Sequence, residues 1–396
     1  MKLKALTILL LLPLCLRGQT GSPFDGLRDK IEIPYATVGS WPVIEARVGS
    51  DTLRFVFDSG SSATLITDRA AEKLGLRAGR KTSVGDAHGN RSMLRVGTIR
   101  GLEIAGTPGF TIRKARTIVI DADNLIFRCY GVDGIIGCHH FRDHAVAFDS
   151  GNKKIVLLSG RGEVDGLTEK WGVLRHRRAY VPMLRVKAGG REYDALFDSG
   201  NASWPTLKDF SNLLQDGEIL DYRSASGFNS IYGLFGTGDS EENHRGVLRS
   251  LDMGGTVLDS IPVVSSMKRD MNIPMAVTSF GYMVLDFPGD RYCFIPPKET
   301  TARWSRTFPR LDTTIERGRL KVLLVWDKEL AEHIAPGDIL HEVGGEAVEG
   351  LDDCSGITVD KIIKGRSAQD GNLVFVRPDG SQVEVPAHLF LNERAD

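Results

Sequence analysis

Two aspartates occupy matching positions in a repeated stretch of the sequence. The tetrapeptide Phe-Asp-Ser-Gly occurs at residues 57–60 and again at 197–200, so that Asp58 and Asp198 each follow a short apolar run and precede a turn. Such apolar runs predict buried strands. Two carboxyl groups that meet across a pseudo-twofold axis cannot both ionise easily, so one keeps a proton while the other does not. One acid and one base at the same pH can activate water.

The elements around the two aspartates repeat in the same order. A strand and hairpin lead to each aspartate, over Val43–Phe57 and Tyr180–Phe197, and a helix is expected to open after each turn, near Thr67 and Thr206. Glycines and short alternating runs between these landmarks predict mostly strand. We therefore expect a mainly β fold with two homologous lobes. The predicted lobes are residues 31–159 and 180–297.

The composition and the N-terminal residues indicate an exported globular protein. The 396 residues carry a net charge of −1, which gives no strong attraction to nucleic acid or to anionic membranes. Lys2 and Lys4 precede an apolar run over residues 6–16 that is too short to span a bilayer. We expect a signal peptide over residues 1–18, and a soluble periplasmic or secreted protein without a membrane span. Lipid attachment at Cys15 fits less well.

Beyond that signal, four cysteines remain in a compartment that favours disulfides, but their spacing does not reveal their pairing. They are Cys129, Cys138, Cys293 and Cys354. The polar stretch 298–306 is typical of a linker, and residues 307–396 predict a small separate β-rich domain. Its predicted strands are 320–326, 339–343, 373–376 and 383–385, with a short helix near 328–333. We expect the two lobes to fold without this domain.

The repeated loops, together with the element Asp-Gly-Ile-Ile-Gly at 133–137, resemble the aspartic peptidases of the pepsin and retroviral-protease superfamily. The sequence is most similar to exported bacterial two-lobed members with a C-terminal PDZ-like domain. The resemblance implies a bilobal β-barrel fold and an aspartic endopeptidase that hydrolyses peptide bonds in peptide or protein substrates. It implies that Asp58 and Asp198 are catalytic and activate water, with no cofactor and no metal.

The loop residues beside each aspartate are expected to support this pair. Glycine permits the close approach of two backbones, and the resemblance implies that the serine hydroxyls hydrogen-bond across the loops. The supporting residues are Ser59, Gly60, Ser61, Ser199, Gly200 and Asn201. Asn201 departs from the family pattern, as does the segment 279–281 if it is the second copy of 135–137. A catalytically inactive homologue that binds peptides through its cleft and PDZ-like domain is therefore the alternative.

A cleft also needs a cover, and two glycine-rich segments are candidates. Residues 84–90 predict a mobile hairpin, the flap of the first lobe, and 233–238 its analogue in the second. The flap candidates are Gly85, Asp86, His88 and Gly89. Plain surface hairpins are the alternative.

Three further patterns are assigned to structural roles or left open. A third Asp-Ser-Gly at 149–151 precedes a strand and predicts a hairpin turn. The histidines at 139, 140 and 144 are read as a solvated helix and not as a metal site. The segment 336–340 resembles a PDZ domain, in which 317–320 would have to form the carboxylate-binding loop for a peptide ligand. A domain that only packs against the peptidase is equally consistent.

Overall fold

The structure is a computed structural model, and it describes most of the chain beyond the predicted signal. The described residues are 22–86, 89–105, 107, 110–176, 178–228, 232–237, 240–265, 271–297 and 308–391. The signal 1–18 and the linker 298–306 lie outside these ranges.

The first lobe and its continuation contain eleven strands among the described residues. They are β1 (Lys30–Pro34), β2 (Ala36–Val38), β3 (Trp41–Val48), β4 (Asp51–Asp58), β5 (Thr64–Thr67), β6 (Lys81–Gly85), β7 (Arg91–Ile104), β8 (Thr111–Ile120), β9 (Gly134–Gly137), β10 (Ala145–Asp149) and β11 (Lys154–Leu158). The helices are α1 (Asp68–Lys73), α2 (Leu125–Tyr130), α3 (Arg161–Asp165) and a 3₁₀ turn (Cys138–His140). The hydroxyl of Thr67 caps α1 by accepting from the Ala70 N–H, at the predicted helix start.

The second lobe repeats this order with little helix. Its strands are β12 (Gly172–His176), β13 (Pro182–Ala188), β14 (Arg191–Asp198), β15 (Thr206–Leu207), β16 (Ile219–Phe228), β17 (Tyr232–Gly233), β18 (Gly236–Thr237), β19 (Ser240–Met253), β20 (Thr256–Ser265), β21 (Met271–Pro274), β22 (Tyr282–Asp286) and β23 (Arg291–Ile295). The helices are α4 (Phe210–Gln215) and the 3₁₀ segments Arg178–Tyr180 and Met275–Phe280. The second predicted helix thus begins four residues after Thr206.

Each lobe closes six strands into a barrel, and the two barrels match strand for strand. In the first lobe the order β3-β4-β9-β5-β8-β7 closes because β3 also pairs with β7. In the second lobe β13-β14-β21-β15-β20-β19 closes through a pairing of β13 with β19. The strands β4 and β9 are parallel, as are β14 and β21. The duplication inferred from the sequence therefore extends to the whole barrel.

A shared sheet and a continuous core join the two lobes. The sheet runs β1-β11-β10-β22-β23-β12, and strands from the two lobes meet where β10 pairs with β22. Behind it, the ring of Phe148 lies 5.8 Å from that of Phe57 and 5.1 Å from that of Phe197. Phe57 and Phe197 immediately precede Asp58 and Asp198. The packing therefore fixes both aspartate loops to one common core.

The C-terminal domain has its own sheet and its own hydrophobic core. Its elements are β24 (Leu311–Glu316), β25 (Arg319–Val325), α5 (Lys328–Ala331), β26 (Ile339–Val343), β27 (Glu346–Ala347), α6 (Val359–Gly365), β28 (Asn372–Val376), β29 (Gln382–Pro386) and α7 (His388–Leu391). All four predicted strands of this region are present, whereas β24 and α6 were not predicted.

This domain is attached to both lobes. A disulfide joins Cys129 of α2 to Cys354, and Cys138 and Cys293 are buried free thiols. On the second lobe, the buried guanidinium of Arg245 lies 4.3 Å from the Trp326 ring and 4.8 Å from the Phe308 ring. Cation–π contacts of this kind are stronger when water is excluded. Within the described ranges, no helix has the length and apolar character needed to cross a bilayer.

Candidate active site

The two aspartates lie at equivalent ends of the two barrels. Asp58 ends β4 and Asp198 ends β14, and each is followed by a tight turn in which the N–H two residues on donates to its carboxylate. The distances are 2.8 Å from Gly60 N to Asp58 Oδ1 and 3.0 Å from Gly200 N to Asp198 Oδ1. The turn that follows each aspartate and its hydrogen bond to the carboxylate are therefore the same.

The serines that follow the aspartates lock the two loops together. The Ser59 N–H donates to Ser199 Oγ at 2.9 Å, and the Ser199 N–H donates to Ser59 Oγ, also at 2.9 Å. Each hydroxyl in turn donates to a backbone carbonyl of the other lobe. Ser59 donates to the Phe197 carbonyl at 2.8 Å, and Ser199 donates to the Phe57 carbonyl at 2.7 Å. Both serines are fully buried, so none of the four bonds competes with water. The cross-loop hydrogen bonds expected of these hydroxyls are present.

The glycines of the loops are required because each one faces the opposite carboxyl group. A Cβ added to Gly60 would lie 2.5 Å from Asp198 Cγ, and one added to Gly200 would lie 2.4 Å from Asp58 Cγ. Real Cβ atoms do not approach other atoms this closely. Absence of a side chain therefore allows the two carboxyl groups to meet.

The electrostatics of the pair differ from those of exposed carboxylates. Burial, and after it the charge of Asp198, raise the pKa of Asp58 well above its usual value, and the side chains of Asp58 and Asp198 hydrogen-bond each other. A pair of this kind shares one proton because the second ionisation would place two negative charges side by side. The arrangement supplies a proton donor and a proton acceptor at one point.

Comparison with known families agrees with this geometry. Residues 44–139, most of the first barrel including Asp58 and the strand β9, match the family described as aspartyl protease. The chain has the two-lobed fold of an aspartyl protease. A search of curated proteins finds no match.

The second lobe does not have a copy of the first lobe's Ile-Ile-Gly element, residues 135–137, at the position that the sequence suggested. In the first lobe, Ile135 of β9 pairs with Val56 of β4. In the second lobe, β21 takes the place of β9, and Asn272 pairs with Leu196. The prediction that 279–281 is the second copy is wrong, because those residues lie in a 3₁₀ segment beyond the barrel strand. The counterpart of Ile135 is Asn272, which the sequence analysis missed because Met-Asn-Ile-Pro retains no glycine.

Two polar side chains beside the second aspartate contact each other: Asn201 of its loop and Asn272 of β21. Asn201 Nδ2 donates to Asn272 Oδ1 at 2.8 Å, and Asn272 Nδ2 donates to Asp198 Oδ2 at 2.9 Å. Asn272 is 3% exposed. In the first lobe, by contrast, Ser61 Oγ donates to the Ala63 carbonyl at 2.7 Å. The departure at Asn201 therefore has a specific partner beside the aspartate.

The flap predicted for the first protease lobe is a hairpin between β6 and β7. Gly85 pairs with Arg91, and Asp86 closes the tip because its carboxylate accepts from the Asn90 N–H at 2.9 Å, while the Gly89 N–H donates to its carbonyl. His88 lies outside the described residues.

The corresponding hairpin of the second lobe, between β16 and β19, reaches this flap. The Phe235 N–H donates to Asp86 Oδ2 at 3.0 Å, and Asn124 Nδ2 donates to the Leu234 carbonyl at 2.7 Å. The side chains of Leu234 and Phe235 pack against a hydrophobic cluster of the first lobe that includes Phe127. The two hairpin tips are therefore joined to each other.

The third Asp-Ser-Gly is a turn, as predicted. Asp149 ends β10, and its carboxylate accepts from the Asn152 backbone N–H at 3.1 Å and from Asn152 Nδ2 at 2.9 Å. Both carboxylate oxygens are thus used to close the β10–β11 hairpin. Asp149 therefore has a structural role in this turn, unlike the aspartate pair.

The solvated helix predicted around the histidines is wrong. Residues 138–140 form a 3₁₀ turn that is partly buried because Phe141 and Cys138 pack into the core. His140 Nε2 hydrogen-bonds Thr64 Oγ1 at 2.8 Å, and burial lowers the pKa of His140 to about 3. This histidine is therefore a neutral structural residue. Over the described part of the chain, no three side chains are grouped as metal ligands.

The carboxylate-binding loop suggested for the C-terminal domain has another role. Arg317 and Gly318 form the tight turn between β24 and β25, both with positive φ. The Gly318 N–H donates at 3.3 Å to the carboxylate of Asp353, next to the disulfide. The Gly318 amide is thus used within the chain, and ligand binding by segment 317–320 stays a prediction.

Proposed function

We propose that the protein is an aspartic endopeptidase in which Asp58 and Asp198 activate a water molecule. The observation that carries the proposal is the symmetric loop pair, in which four buried serine hydrogen bonds hold two carboxyl groups in contact. Preorganised groups of this kind lower a reaction barrier because they need no reorganisation during the reaction.

In this mechanism the ionised carboxylate takes a proton from water as the water oxygen attacks the carbonyl carbon of the peptide bond. The protonated carboxyl group donates to the carbonyl oxygen, which becomes a hydroxyl of the tetrahedral intermediate. The carboxyl group that took the water proton then passes it to the amide nitrogen. As the C–N bond breaks, a hydroxyl of the intermediate returns its proton to the other carboxylate, which restores the pair to one proton. The raised pKa of Asp58 supports the sharing of one proton between the two groups.

The matched hairpin tips support a closed cleft above the pair. The second-lobe tip is held by one hydrogen bond to the flap tip and by another to Asn124 at the start of α2, so a polypeptide would have to enter beneath the tips or part them. Hairpins that open and close over a reaction site commonly gate access.

We also propose that the protein is exported and that its C-terminal domain packs against the two lobes. The disulfide between Cys129 and Cys354 supports an oxidising compartment, because such bonds rarely persist in the cytosol. The extensive contacts with both lobes favour a packing role for the domain. Mass spectrometry of the exported form tests the signal, for which a mature N-terminus at Gln19 is expected.

The test of catalysis is peptide cleavage by purified protein with Asp58→Asn, Asp198→Asn and the double change. Each single change should lower kcat/KM by about a thousandfold or more, and the double change should cost little more, because the two groups act as one unit. Asp149→Asn is the matched control from the third Asp-Ser-Gly and should retain activity. A wild type that binds peptides without cutting them would instead establish the inactive homologue.

A further inference from the structure

A chain of three hydrogen bonds ends on one member of the aspartate pair. The Ser203 N–H donates to Asn201 Oδ1 at 2.7 Å, Asn201 Nδ2 donates to Asn272 Oδ1 at 2.8 Å, and Asn272 Nδ2 donates to Asp198 Oδ2 at 2.9 Å. The residues come from the loop after β14 and from β21. They connect a fixed backbone donor to the carboxyl group.

The direction of this chain is fixed at its start. A backbone N–H can only donate, so the atom of Asn201 that faces Ser203 must be its oxygen. The amide nitrogen of Asn201 then faces Asn272, which must present its own oxygen in return. Asn272 is left with its nitrogen toward Asp198. The group beside Asp198 is therefore a hydrogen-bond donor, independently of how either amide is drawn.

The first lobe offers no such donor at the matching position. Ile135 stands where Asn272 stands, and its side chain has no hydrogen-bonding group. Ser61 stands where Asn201 stands, and its hydroxyl donates to the Ala63 carbonyl. Each carboxyl group accepts from the glycine two residues on, but the side-chain neighbours of the two groups differ.

We infer that Asn272, oriented by Asn201, makes Asp198 the ionised member of the pair and leaves the shared proton on Asp58. A donor aimed at a carboxyl oxygen stabilises the charged form over the neutral one. Asn272 is thus a positioning residue. Resting on the proposed function, the inference assigns the roles: Asp198 takes the proton from water, and Asp58 donates to the carbonyl oxygen.

The other groups around the pair agree with this assignment. Asp58 is the titratable side chain that hydrogen-bonds Asp198, and burial raises the pKa of Asp58 well above its usual value. The thiol of Cys138 lies near Asp58, and burial raises the pKa of that thiol, so it stays neutral. No charge from these groups competes with the effect of the Asn272 amide.

The direct test is a ¹³C NMR titration of the wild type with labelled aspartate carboxyl carbons, assigned with Asp58→Asn and Asp198→Asn. Between the two ionisation steps, the Asp198 signal should have the ionised shift and the Asp58 signal the protonated shift. The reverse order, or equal partial ionisation of both, would overturn the inference. The titration itself is made on the wild type, and the two variants serve only to assign its signals.

Two variants extend the test to catalysis. Asn272→Leu removes the donor, while Asn201→Ser with Asn272→Ile gives the second lobe the side chains that the first lobe has. Both should move the acidic limb of the kcat/KM profile to higher pH by about one unit, because the first ionisation becomes harder. A residue with only a packing role would lower activity at every pH and leave the limb in place, which would contradict the inference.

The two proposals fail in different ways. If the wild type cuts no peptide but the carboxyl signals separate as expected, the peptidase function is wrong and the charge assignment stands. If peptides are cut and the Asp58 and Asp198 variants are inactive, but the signals titrate together, only the charge assignment is wrong.

Discussion

The two lobes are alike where they touch each other and different where they do not. The loop serines and glycines make identical contacts across the pseudo-twofold axis, since each serves the opposite lobe. One layer away, the first lobe has Ile135 at the position where the second has Asn272. A residue that contacts its own duplicate can change only if both copies stay compatible. Residues that do not contact their duplicates have no such constraint. The asymmetry that distinguishes the acid from the base of the pair arises among them.

The largest expected effect tests the symmetric part of this comparison. Gly60→Ala and Gly200→Ala should each abolish activity and destabilise the fold, because each new Cβ would collide with the opposite carboxyl group. A loss of at least a hundredfold in kcat/KM is expected, about equal in the two lobes. Gly151→Ala is the matched control, since its Cβ would meet no atom closer than 3.7 Å. Cleavage kinetics and thermal unfolding measure both effects. Wild-type activity and stability with alanine at either loop glycine would contradict the equivalence of the two loops.

The pH dependence tests the asymmetric part. The pKa of Asp58 is raised, so its proton is lost only well above the pH at which an ordinary aspartate ionises, and activity should fall about tenfold per pH unit beyond that point. Burial is the larger cause of the raised pKa and the charge of Asp198 the smaller. Carboxyl titration of Asp58 in the Asp198→Asn variant should therefore still show a raised pKa. A return to the ordinary value would make the neighbouring charge the dominant cause.

A smaller effect compares the two serines. Ser59→Ala and Ser199→Ala should each lower the free energy of unfolding by about 1–3 kcal/mol, since each leaves a buried N–H and a buried carbonyl unpaired. The two losses should be equal. Ser61→Ala is the control, because its hydroxyl makes only a local bond. Denaturant titration measures the free energy of unfolding of all three variants. Unequal losses at Ser59 and Ser199 would show that the two serines do not stabilise the fold equally.

The smallest effect concerns the contact between the second-lobe hairpin tip and the start of α2. Asn124→Asp keeps the cap of α2, where its Oδ1 accepts from the Ile126 N–H, but removes the donor to the Leu234 carbonyl. We expect kcat/KM to rise a few-fold for a folded protein substrate and to change little for a short peptide. Asn124→Ser, which also removes the amide donor and keeps a capping oxygen but adds no charge, should give the same result. An equal change for both substrates would show that this contact of the second-lobe tip does not limit access.

Sequence reasoning predicted the parts of the molecule that depend on local pattern. The repeated Phe-Asp-Ser-Gly located both barrels, because a strand, a tight turn and a required glycine leave a readable signature. The Asp149 turn and the flap hairpin followed from the same kind of signal. The partnership of Ser59 with Ser199 came from resemblance, which supplied the pairing that local pattern lacks.

The parts that were missed depend on contacts distant in sequence. Asn272 follows no recognisable motif, and its role is visible only once β21 is seen to replace β9 beside the aspartate. The histidines near residue 140 were misread because their burial depends on packing of Phe141 and not on helical spacing. Cys129 and Cys354 are separated by 225 residues, a distance over which the sequence carries no pairing information.

That disulfide gives the chain a ring topology. The covalent loop closed by Cys129 and Cys354 contains the whole second lobe, so a single backbone cut anywhere from residue 130 to residue 353 separates no fragment. For a molecule that we propose to be a peptidase, cleavage of one copy by another within this ring would leave a nicked chain of unchanged mass apart from one added water. The pieces would part only after reduction. The bond therefore keeps both aspartates on one covalent unit even when the polypeptide between them has been cut.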